Sequence, residues 1–467
     1  PFLFYGEDPT PDALGCDAGF GVVRQWNRIA VDASGLDHTP PEPGEERDFA
    51  EQLGPARASR AMGIVHIAMF EVVNAIHGGF ESYLGLEPVT SETSMEAAVA
   101  QAAHDTLAAL FPAQSSTFAA MLESELAKIP DGEPKANGIA LGALAAAEIL
   151  ALRADDGSSH PEPRIGIEYV PSDAPGIWRQ DPISLTPLAL GARWGEVTPF
   201  TFESSAQFRA PPPPALDSPE YAQAYAEVLR LGGDGITTPT ERTEEQTLIG
   251  HFWAYDGTPS LCAPPRLYNQ IVLQIADKMD MGEIELARLL ALVNVALADA
   301  GIAVWESKFH YQLWRPVLAI READEGTGPT GLGDGNPLTV SDPTFTPLGA
   351  PASNLAGPNF TPPFPAYPSG HAGFGGALFQ VLRRYFETDD MAFTFMSDEY
   401  NAQTQGSDGV TRPFLMRSYT SFSEAEEENG QSRIYLGIHW SFDKTEGIEQ
   451  GRRVANHVFD SLFLPVE

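Results

Sequence analysis

The side chains best suited to chemistry lie in three short segments of the second half of the chain. The first segment, VWESKFHYQLWRPV (304–317), carries Lys308 and Arg315 seven residues apart. On a continuous helix this spacing is two turns, which predicts that both cations project from one face. Because aromatic residues surround them, we interpret this face as partly buried rather than as a solvated basic edge.

The second segment, PFPAYPSGHAGFGG (363–376), is a proline-rich approach to a glycine-rich helix start. Prolines favour an extended, rigid backbone, and Ser369 has the chemistry of a helix N-cap. Exposed amides at a helix N-terminus beside a hydroxyl and the His371 imidazole indicate an anion site. On this segment alone, a capped helix with an incidental histidine is an equally good interpretation.

The third segment, SRIYLGIHWSFD (432–443), contains an arginine, a histidine and an aspartate at defined spacing. Arg433 and His439 are six apart, which does not place them on one face of a straight helix. A helix end or a bend at Gly437 would be needed between them. His439 and Asp443 are four apart, so the carboxylate can accept a ring N–H and orient the imidazole. The alternative for a single histidine is a satisfied core residue.

Together the three segments supply cations, a hydroxyl, an amide and two imidazoles. Three cations with a hydroxyl and a backbone amide form a cage for a tetrahedral oxyanion. Two histidines add a nucleophile or ligand on one side and an acid/base group on the other. The residues are Lys308, Arg315, Ser369, Gly370, His371, Arg433 and His439.

Helical periodicity dominates the rest of the chain and predicts an all-α protein. We expect helices over 58–76, 94–111, 135–157, 240–257, 265–279 and 282–314, after His371, and through 423–440 and 444–463. Two stretches, 158–218 and 322–368, are rich in Pro and Gly and lack periodicity. We therefore predict a helical bundle over 1–157, a connecting segment over 158–218, and a second bundle over 219–467 that carries the site.

Composition describes an acidic globular protein, with 43% hydrophobic residues, 20% charged residues and a net charge of −36. This charge argues against binding of nucleic acid or an anionic membrane. No uninterrupted run of 18 apolar residues is present, because Asn294 and Asp299 break the most apolar stretch, and we expect no membrane span. Cys16 and Cys262 have no metal-ligand spacing, and the sequence leaves open whether they pair. No signal peptide is visible, although we expect a secreted or periplasmic protein.

The combined signature resembles that of the vanadium-dependent haloperoxidases and the related type 2 phosphatidic acid phosphatase-like acid phosphatases. K-x6-R-P, P-S-G-H and S-R-x5-H-x3-D are all intact and in the family's order. Residues 290–445 are similar to the fungal chloroperoxidase branch, and QWNRIAVDA with VHIAMFEVVNAI is similar to the N-terminal helices of bacterial relatives. The resemblance implies two helical bundles, with the active site in the C-terminal one.

The resemblance also implies a vanadate cofactor, one per chain, and a role for each motif residue. His439 would be the axial ligand of vanadium, oriented by Asp443, and His371 would be the acid/base residue. Trp305 and Phe364 would line the halide side. The vanadate oxygens would be held by Lys308, Arg315, Ser369, Gly370 and Arg433, with Lys308 also polarising the oxidant.

The implied reaction oxidises a halide ion with hydrogen peroxide to hypohalous acid, which then halogenates small organic acceptors. Bromide and iodide are the expected substrates, and Phe364 favours chloride as well. The main alternative is a soluble acid phosphatase in which His439 attacks phosphorus and His371 protonates the leaving group. Trp305 and Phe364 favour the peroxidase. A non-catalytic oxyanion-binding module would not need both histidines. The oligomeric state is open, a homo-oligomer included.

Overall fold

The computed structural model describes residues 21–89 and 91–466, and within them the regular secondary structure is helical except for one two-stranded hairpin. The all-α prediction is confirmed. The first helices are α1 (Val22–Asp37), α2 (Gly54–His77), α3 (Met95–Leu110), α4 (Ser115–Ala127), α5 (Glu133–Leu152), α6 (Pro219–Leu231) and α7 (Glu244–Phe252). They are followed by α8 (Pro264–Lys278), α9 (Glu283–Tyr311), α10 (Pro316–Arg321), α11 (Gly370–Phe386), α12 (Phe422–Tyr435) and α13 (Ser441–Ser461). Strands β1 (Phe393–Asn401) and β2 (Phe414–Tyr419) form an antiparallel hairpin that the sequence reasoning did not predict.

The chain forms two compact units that are interleaved along the sequence. The first takes the chain up to Asp156, Gly257–Asp299 and the residues from Asn456 onward, and the second takes Gly157–Asp256 and Ala300–Ala455. The predicted segments 1–157, 158–218 and 219–467 are consecutive, whereas each observed unit combines stretches that are separate in the sequence. The chain passes between the units inside α9 and inside α13, where helical periodicity continues without a break.

The first unit is built around α2, which packs against α1, α3, α5 and α8. Every residue from Ala58 to Ala75 is buried, so protein surrounds this mostly apolar helix on all sides and its polar residues need internal partners, such as Asp156 for Arg60. Cys262 belongs to this unit and is buried, with its Sγ 2.9 Å from Ser34 Oγ. Cys16 lies outside the described residues.

A fully buried chain of polar side chains crosses the core of the first unit. Asn27 Nδ2 donates to His66 Nε2 and to Asn269 Oδ1, each at 2.8 Å. Asn269 and Asn294 then exchange side-chain amide bonds at 2.8 and 2.9 Å. His66 Nδ1 donates to the Met62 carbonyl at 2.7 Å, so the ring is neutral with its lone pair on Nε2. Burial lowers the pKa of His66 to about 4.

We expect acidification to weaken the fold through His66. Its imidazole titrates near 6.5 in the unfolded chain and near 4 in the folded one, so only the unfolded state gains a proton between these values. This costs about 3 kcal/mol of unfolding free energy between pH 7.5 and pH 4. Urea unfolding of the wild type and of His66→Gln at both pH values measures this contribution. An identical pH dependence in the two proteins would contradict it.

Three helices in the described part of the chain are long and apolar enough to cross a membrane, judged by length and composition alone. The absence of an uninterrupted apolar run did not reveal these candidates, and the absence of a membrane span stays a prediction. The apolar windows of α2 and α9 are 94% buried within the protein, which accounts for their hydropathy. The window of α5 is only 33% buried.

The second unit has an aromatic core formed by α6, α10, α12 and the start of α13. Trp314 Nε1 donates to the Tyr221 hydroxyl at 3.1 Å, and Tyr225 stacks on Trp440 with ring centroids 6.2 Å apart. Helix α11 packs against α12, and α7 packs against both α12 and β1. The hairpin register pairs Phe393 with Tyr419 and extends to Met396 with Met416. This unit holds all the residues predicted to form the site.

Candidate active site

Lys308 is the buried anchor of the proline-rich loop that precedes α11. Its Nζ donates to the carbonyl oxygens of Pro365, Ala366 and Pro368 at 2.8, 3.0 and 2.5 Å. Burial lowers the pKa of Lys308 well below its ordinary value, and the charge of Arg315 acts in the same direction. The three carbonyl acceptors oppose this shift, since only an ammonium has three N–H groups to donate. The loop and the cation therefore hold each other in place.

Arg315 does not share a helix face with Lys308, so that prediction is wrong. Helix α9 ends at Tyr311, and Gln312 adopts a left-handed conformation with φ of 53°. Arg315 follows in an extended conformation as the N-cap of α10. The two cations nevertheless bind the same loop, because Arg315 Nε donates to the Phe364 carbonyl at 2.8 Å.

The Arg315 guanidinium also contacts the predicted ligand histidine. Its Nη1 donates to the Ile438 carbonyl at 2.8 Å and to His439 Nε2 at 2.9 Å. The side chain is almost fully buried, at 1% exposure. Burial lowers the pKa of Arg315 to about 9, which leaves it charged at neutral pH. A positive charge is thus held directly beside the His439 ring.

Asp443 fixes the orientation of His439, as the four-residue spacing predicted. Its Oδ2 accepts from His439 Nδ1 at 2.8 Å and from the Trp440 amide at 3.0 Å. The Nδ1 proton leaves Nε2 as the lone-pair nitrogen of the ring. Burial, with the charge of Arg315, lowers the pKa of His439 well below its usual value, whereas burial raises that of Asp443 to about 7. The neutral imidazole is the form that can ligate or attack.

Ser369 caps α11, and this prediction is confirmed. Its side chain accepts from the Ala372 amide at 3.4 Å, which leaves its hydroxyl proton to donate. Its own amide donates to the Asp443 carbonyl at 2.9 Å. At Gly370 a Cβ would lie 3.0 Å from the Trp305 ring, so the absence of a side chain lets the helix start approach that indole.

His371 occupies the first turn of α11 and is buried at 5% exposure. Its ring hydrogen-bonds to the backbone of Trp253, and its own carbonyl accepts from Asn429 Nδ2 at 3.3 Å. Burial lowers the pKa of His371 well below its usual value, and the charge of Arg433 adds to this shift. The ring is therefore neutral at pH 7 and able to accept a proton.

Arg433 is paired with a carboxylate that the sequence reasoning missed. Its Nη2 donates to Asp256 Oδ1 at 2.6 Å, and both side chains are buried. Helix α12 ends at Tyr435, and Gly437 with φ of 73° turns the chain before His439. The expected break between Arg433 and His439 is confirmed. Asp256 lies 177 residues away in WAYDG, where no spacing pattern marks it.

At this site, three guanidinium nitrogens have no acceptor within residues 21–89 and 91–466. They are Nη2 of Arg315 and both Nε and Nη1 of Arg433, all buried. Buried N–H groups are nearly always hydrogen-bonded, so a group of unbonded ones on cations indicates a place for an anion. In Arg315, Nη2 is the nitrogen without an acceptor among these residues, and the other terminal nitrogen, Nη1, contacts His439 Nε2. The donors present thus fit a tetrahedral oxyanion beside the lone pair of His439.

Trp305 and Phe364 pack together next to Lys308. Their ring centroids are 4.9 Å apart, and Lys308 Nζ lies 5.7 and 5.2 Å from the two rings. A single stretch of backbone links the pair: the Leu190 carbonyl accepts from Trp305 Nε1 at 3.0 Å, and the Leu190 amide donates to Pro363 at 3.0 Å. Residues 158–218, predicted only as a connection, therefore contribute to the site.

The chain resembles vanadium-dependent enzymes in sequence and in fold. The profile of the VCPO second helical-bundle domain matches residues 288–466. Vanadium chloroperoxidase from Curvularia inaequalis is 30% identical over 495 residues, covering 90% of this chain and 78% of that protein. The crystal structure of the first bacterial vanadium-dependent iodoperoxidase has a TM-score of 0.74 at 23% identity, covering 96% and 99% of the two chains. A holo-type bacterial vanadium-dependent chloroperoxidase has a TM-score of 0.64 at 18% identity, covering 87% and 92%.

The fold is an all-α one in which two buried arginines, Arg315 and Arg433, lie at one site with His439. At 30% identity over 90% of its length to a vanadium chloroperoxidase, the chain belongs to the vanadium haloperoxidase family. The structural likenesses below 25% identity support the fold.

Proposed function

We propose that this protein is a vanadate-dependent haloperoxidase that oxidises halide with hydrogen peroxide to hypohalous acid. One observation carries the proposal: Arg315 Nη1 contacts the lone-pair nitrogen of His439, and Arg315 Nη2 is buried with no acceptor in the part of the chain that the structure describes. An oxyanion bound by that guanidinium would lie within reach of His439 Nε2. Bromide and iodide are the expected substrates, and chloride is included because Phe364 packs on Trp305 in an apolar pair.

The residues that would hold vanadate are proposed from their positive charges and from their N–H and O–H groups. His439 would be its ligand through Nε2, and the oxygens would be held by Lys308, Arg315, Ser369, Gly370 and Arg433. When bound, vanadate supplies a Lewis acid that activates hydrogen peroxide for two-electron oxidation of halide. Lys308 would need to release one of its three carbonyl acceptors in order to donate to this group.

The protein's own groups would manage protons and charge during the reaction. The neutral His371 ring would take a proton from hydrogen peroxide at the nitrogen that is not bonded to Trp253. Asp443 keeps the proton of His439 on Nδ1, so Nε2 remains a lone-pair donor. The cluster of three cations attracts halide against a net charge of −36. Trp305 and Phe364 would exclude water from the halide side.

The test uses one preparation that is freed of oxyanions and then given orthovanadate. Bromination of a dione dye by peroxide and bromide is followed beside hydrolysis of p-nitrophenyl phosphate. We expect halogenation only with vanadate, and suppression of any phosphate hydrolysis by the same addition. Strong phosphate hydrolysis without vanadate-dependent halogenation would instead assign the acid phosphatase reaction, with His439 as the nucleophile.

Gly191→Ala should change halide selectivity. Gly191 has φ of 75°, and a Cβ there would lie 2.3 Å from Trp305 Cδ1 and Nε1, so the indole must shift. We expect the kcat/KM ratio of bromide to chloride to change by about tenfold, as expected for a pocket altered by one methyl group. Ala192→Gly, one residue further along, is the control. Halide competition assays with an unchanged ratio would contradict the prediction.

A further inference from the structure

The turn between α7 and the next segment, residues 252–256, touches the anion site at two points. The backbone of Trp253 hydrogen-bonds to the ring of His371. Three residues later, Asp256 forms the buried ion pair with Arg433 at 2.6 Å. The turn thus holds one residue from each of the two helices, α11 and α12, that meet at the site. A displacement of the turn would move a cation and an acid/base group together.

The turn itself is held by three consecutive residues of strand β1. Ser397 Oγ donates to the Phe252 carbonyl at 2.6 Å. The Asp398 amide donates to the Tyr255 hydroxyl at 2.6 Å. Glu399 Oε1 accepts from the Tyr255 amide at 3.4 Å, the longest of the three bonds. Ser397, Glu399 and Tyr255 are each completely buried, so water does not replace these partners.

The backbone of the turn needs such support. Tyr255 has φ of 47°, a left-handed conformation that is unfavourable for a bulky residue. Such a conformation persists only where the surroundings impose it. Here the amide and the hydroxyl of the same tyrosine are both bonded to β1, and Asp256 follows directly. Strand β1 therefore fixes the position of the Asp256 carboxylate through its two bonds to Tyr255.

A buried charged cluster fixes β1 in turn. Glu399 Oε2 accepts from Ser353 Oγ at 2.6 Å and pairs with the Arg412 guanidinium. Arg412 also donates to Ser353 Oγ at 2.9 Å. Because breaking a buried pair of this kind is costly, the strand has little freedom to slide along the turn. A rigid support of this type is what keeps a binding site in its working geometry.

We propose that Ser397, Asp398 and Glu399 are positioning residues for the anion site, acting through Tyr255 and Asp256 on Arg433 and through Trp253 on His371. The hairpin that the helical periodicity did not reveal is thereby part of the functional architecture. This inference rests on the proposed function for its ligand, and it extends that function to a segment that does not touch the oxyanion.

The test measures binding of inorganic vanadate to oxyanion-free protein by calorimetry, separately from halogenation. Ser397→Ala and Tyr255→Phe each remove one bond between β1 and the turn. We expect the vanadate Kd to rise about tenfold in each, as is typical when a supporting partner of a ligand is removed. Thr394→Ala is the matched control, because it removes the exposed hydroxyl pair with Ser418 on the same hairpin and leaves the turn intact. Its Kd should stay within about twofold.

A double-mutant cycle separates positioning from general destabilisation. If β1 acts through the ion pair, Ser397→Ala should raise the Kd much less in an Asp256→Asn background than in the wild type. Equal factors in both backgrounds, or a Kd unchanged in both single variants, would overturn the inference. Wild-type protein that binds vanadate without halogenating would reject the proposed function and leave this result intact. Failure of the wild type to bind vanadate would reject both.

Discussion

His439→Ala should abolish vanadate-dependent halogenation and weaken vanadate binding by more than about 100-fold. Loss of a partner that merely supports a ligand costs 10- to 100-fold in affinity, and loss of the ligand itself must exceed this. The variant removes the lone pair that Arg315 now contacts at 2.9 Å, while all three cations remain. Residual weak oxyanion binding through those cations is therefore expected. Calorimetry with vanadate and the dye bromination assay measure the two effects on one preparation.

Two further variants show whether the loss comes from the nitrogen itself. Asp443→Asn keeps an oxygen for the Nδ1 proton of His439 but removes the negative charge, so an intermediate loss of about 10- to 100-fold in affinity is expected. His310→Ala changes an exposed histidine two residues from Lys308 and should leave binding and activity unchanged. Full activity of His439→Ala would exclude this residue as the ligand.

His371→Ala should lower kcat strongly while changing the vanadate Kd only slightly. The neutral, buried ring is placed to accept a proton, and loss of such a group typically lowers kcat by about 10²- to 10⁴-fold. Arg315, Arg433 and His439 keep their own contacts in this variant, so the vanadate Kd should change by less than about tenfold. Steady-state bromide oxidation at saturating vanadate, combined with binding measurements, resolves the two quantities.

The comparison with His371→Gln refines this expectation. Glutamine can retain a hydrogen bond to the Trp253 carbonyl but cannot carry a proton away from peroxide. We therefore expect His371→Gln to have a kcat as low as that of His371→Ala. Its vanadate affinity should be closer to that of the wild type. A parallel loss of affinity and of kcat in both variants would show that His371 acts as a binding residue instead.

Local sequence patterns predicted the contacts of the site that join residues three or four positions apart. The His439–Asp443 contact and the Ser369 cap both follow from spacing and residue type, and both are present. The shared face of Lys308 and Arg315 is absent, because α9 ends at Tyr311 and the chain turns at Gln312. Nothing in the local pattern distinguishes a helix that stops there from one that continues to Pro316.

Contacts between distant segments could not be predicted. Asp256 has no patterned neighbours, and its importance depends entirely on the fold bringing it to Arg433. Leu190 acts through its backbone, whose hydrogen bonds to Trp305 and Pro363 have no signature in side-chain type. The β1–β2 hairpin alternates in burial over most of its length, but the buried positions of β1 include the polar residues Ser397 and Glu399, so the apolar pattern of the sequence does not follow the alternation.

Arg315 and Arg433 have buried N–H groups with no acceptor among the described residues, and these groups also affect how the protein is best handled. Burial of such donors without acceptors costs about 1–3 kcal/mol each, so the oxyanion-free protein is folded at a disadvantage. Any anion that fills the site offsets this and acts as a folding ligand, worth about 2.7 kcal/mol at a concentration of 100 Kd. If the site binds oxyanions as proposed, phosphate in the buffer would stabilise the fold during purification and would compete with vanadate for the same donors.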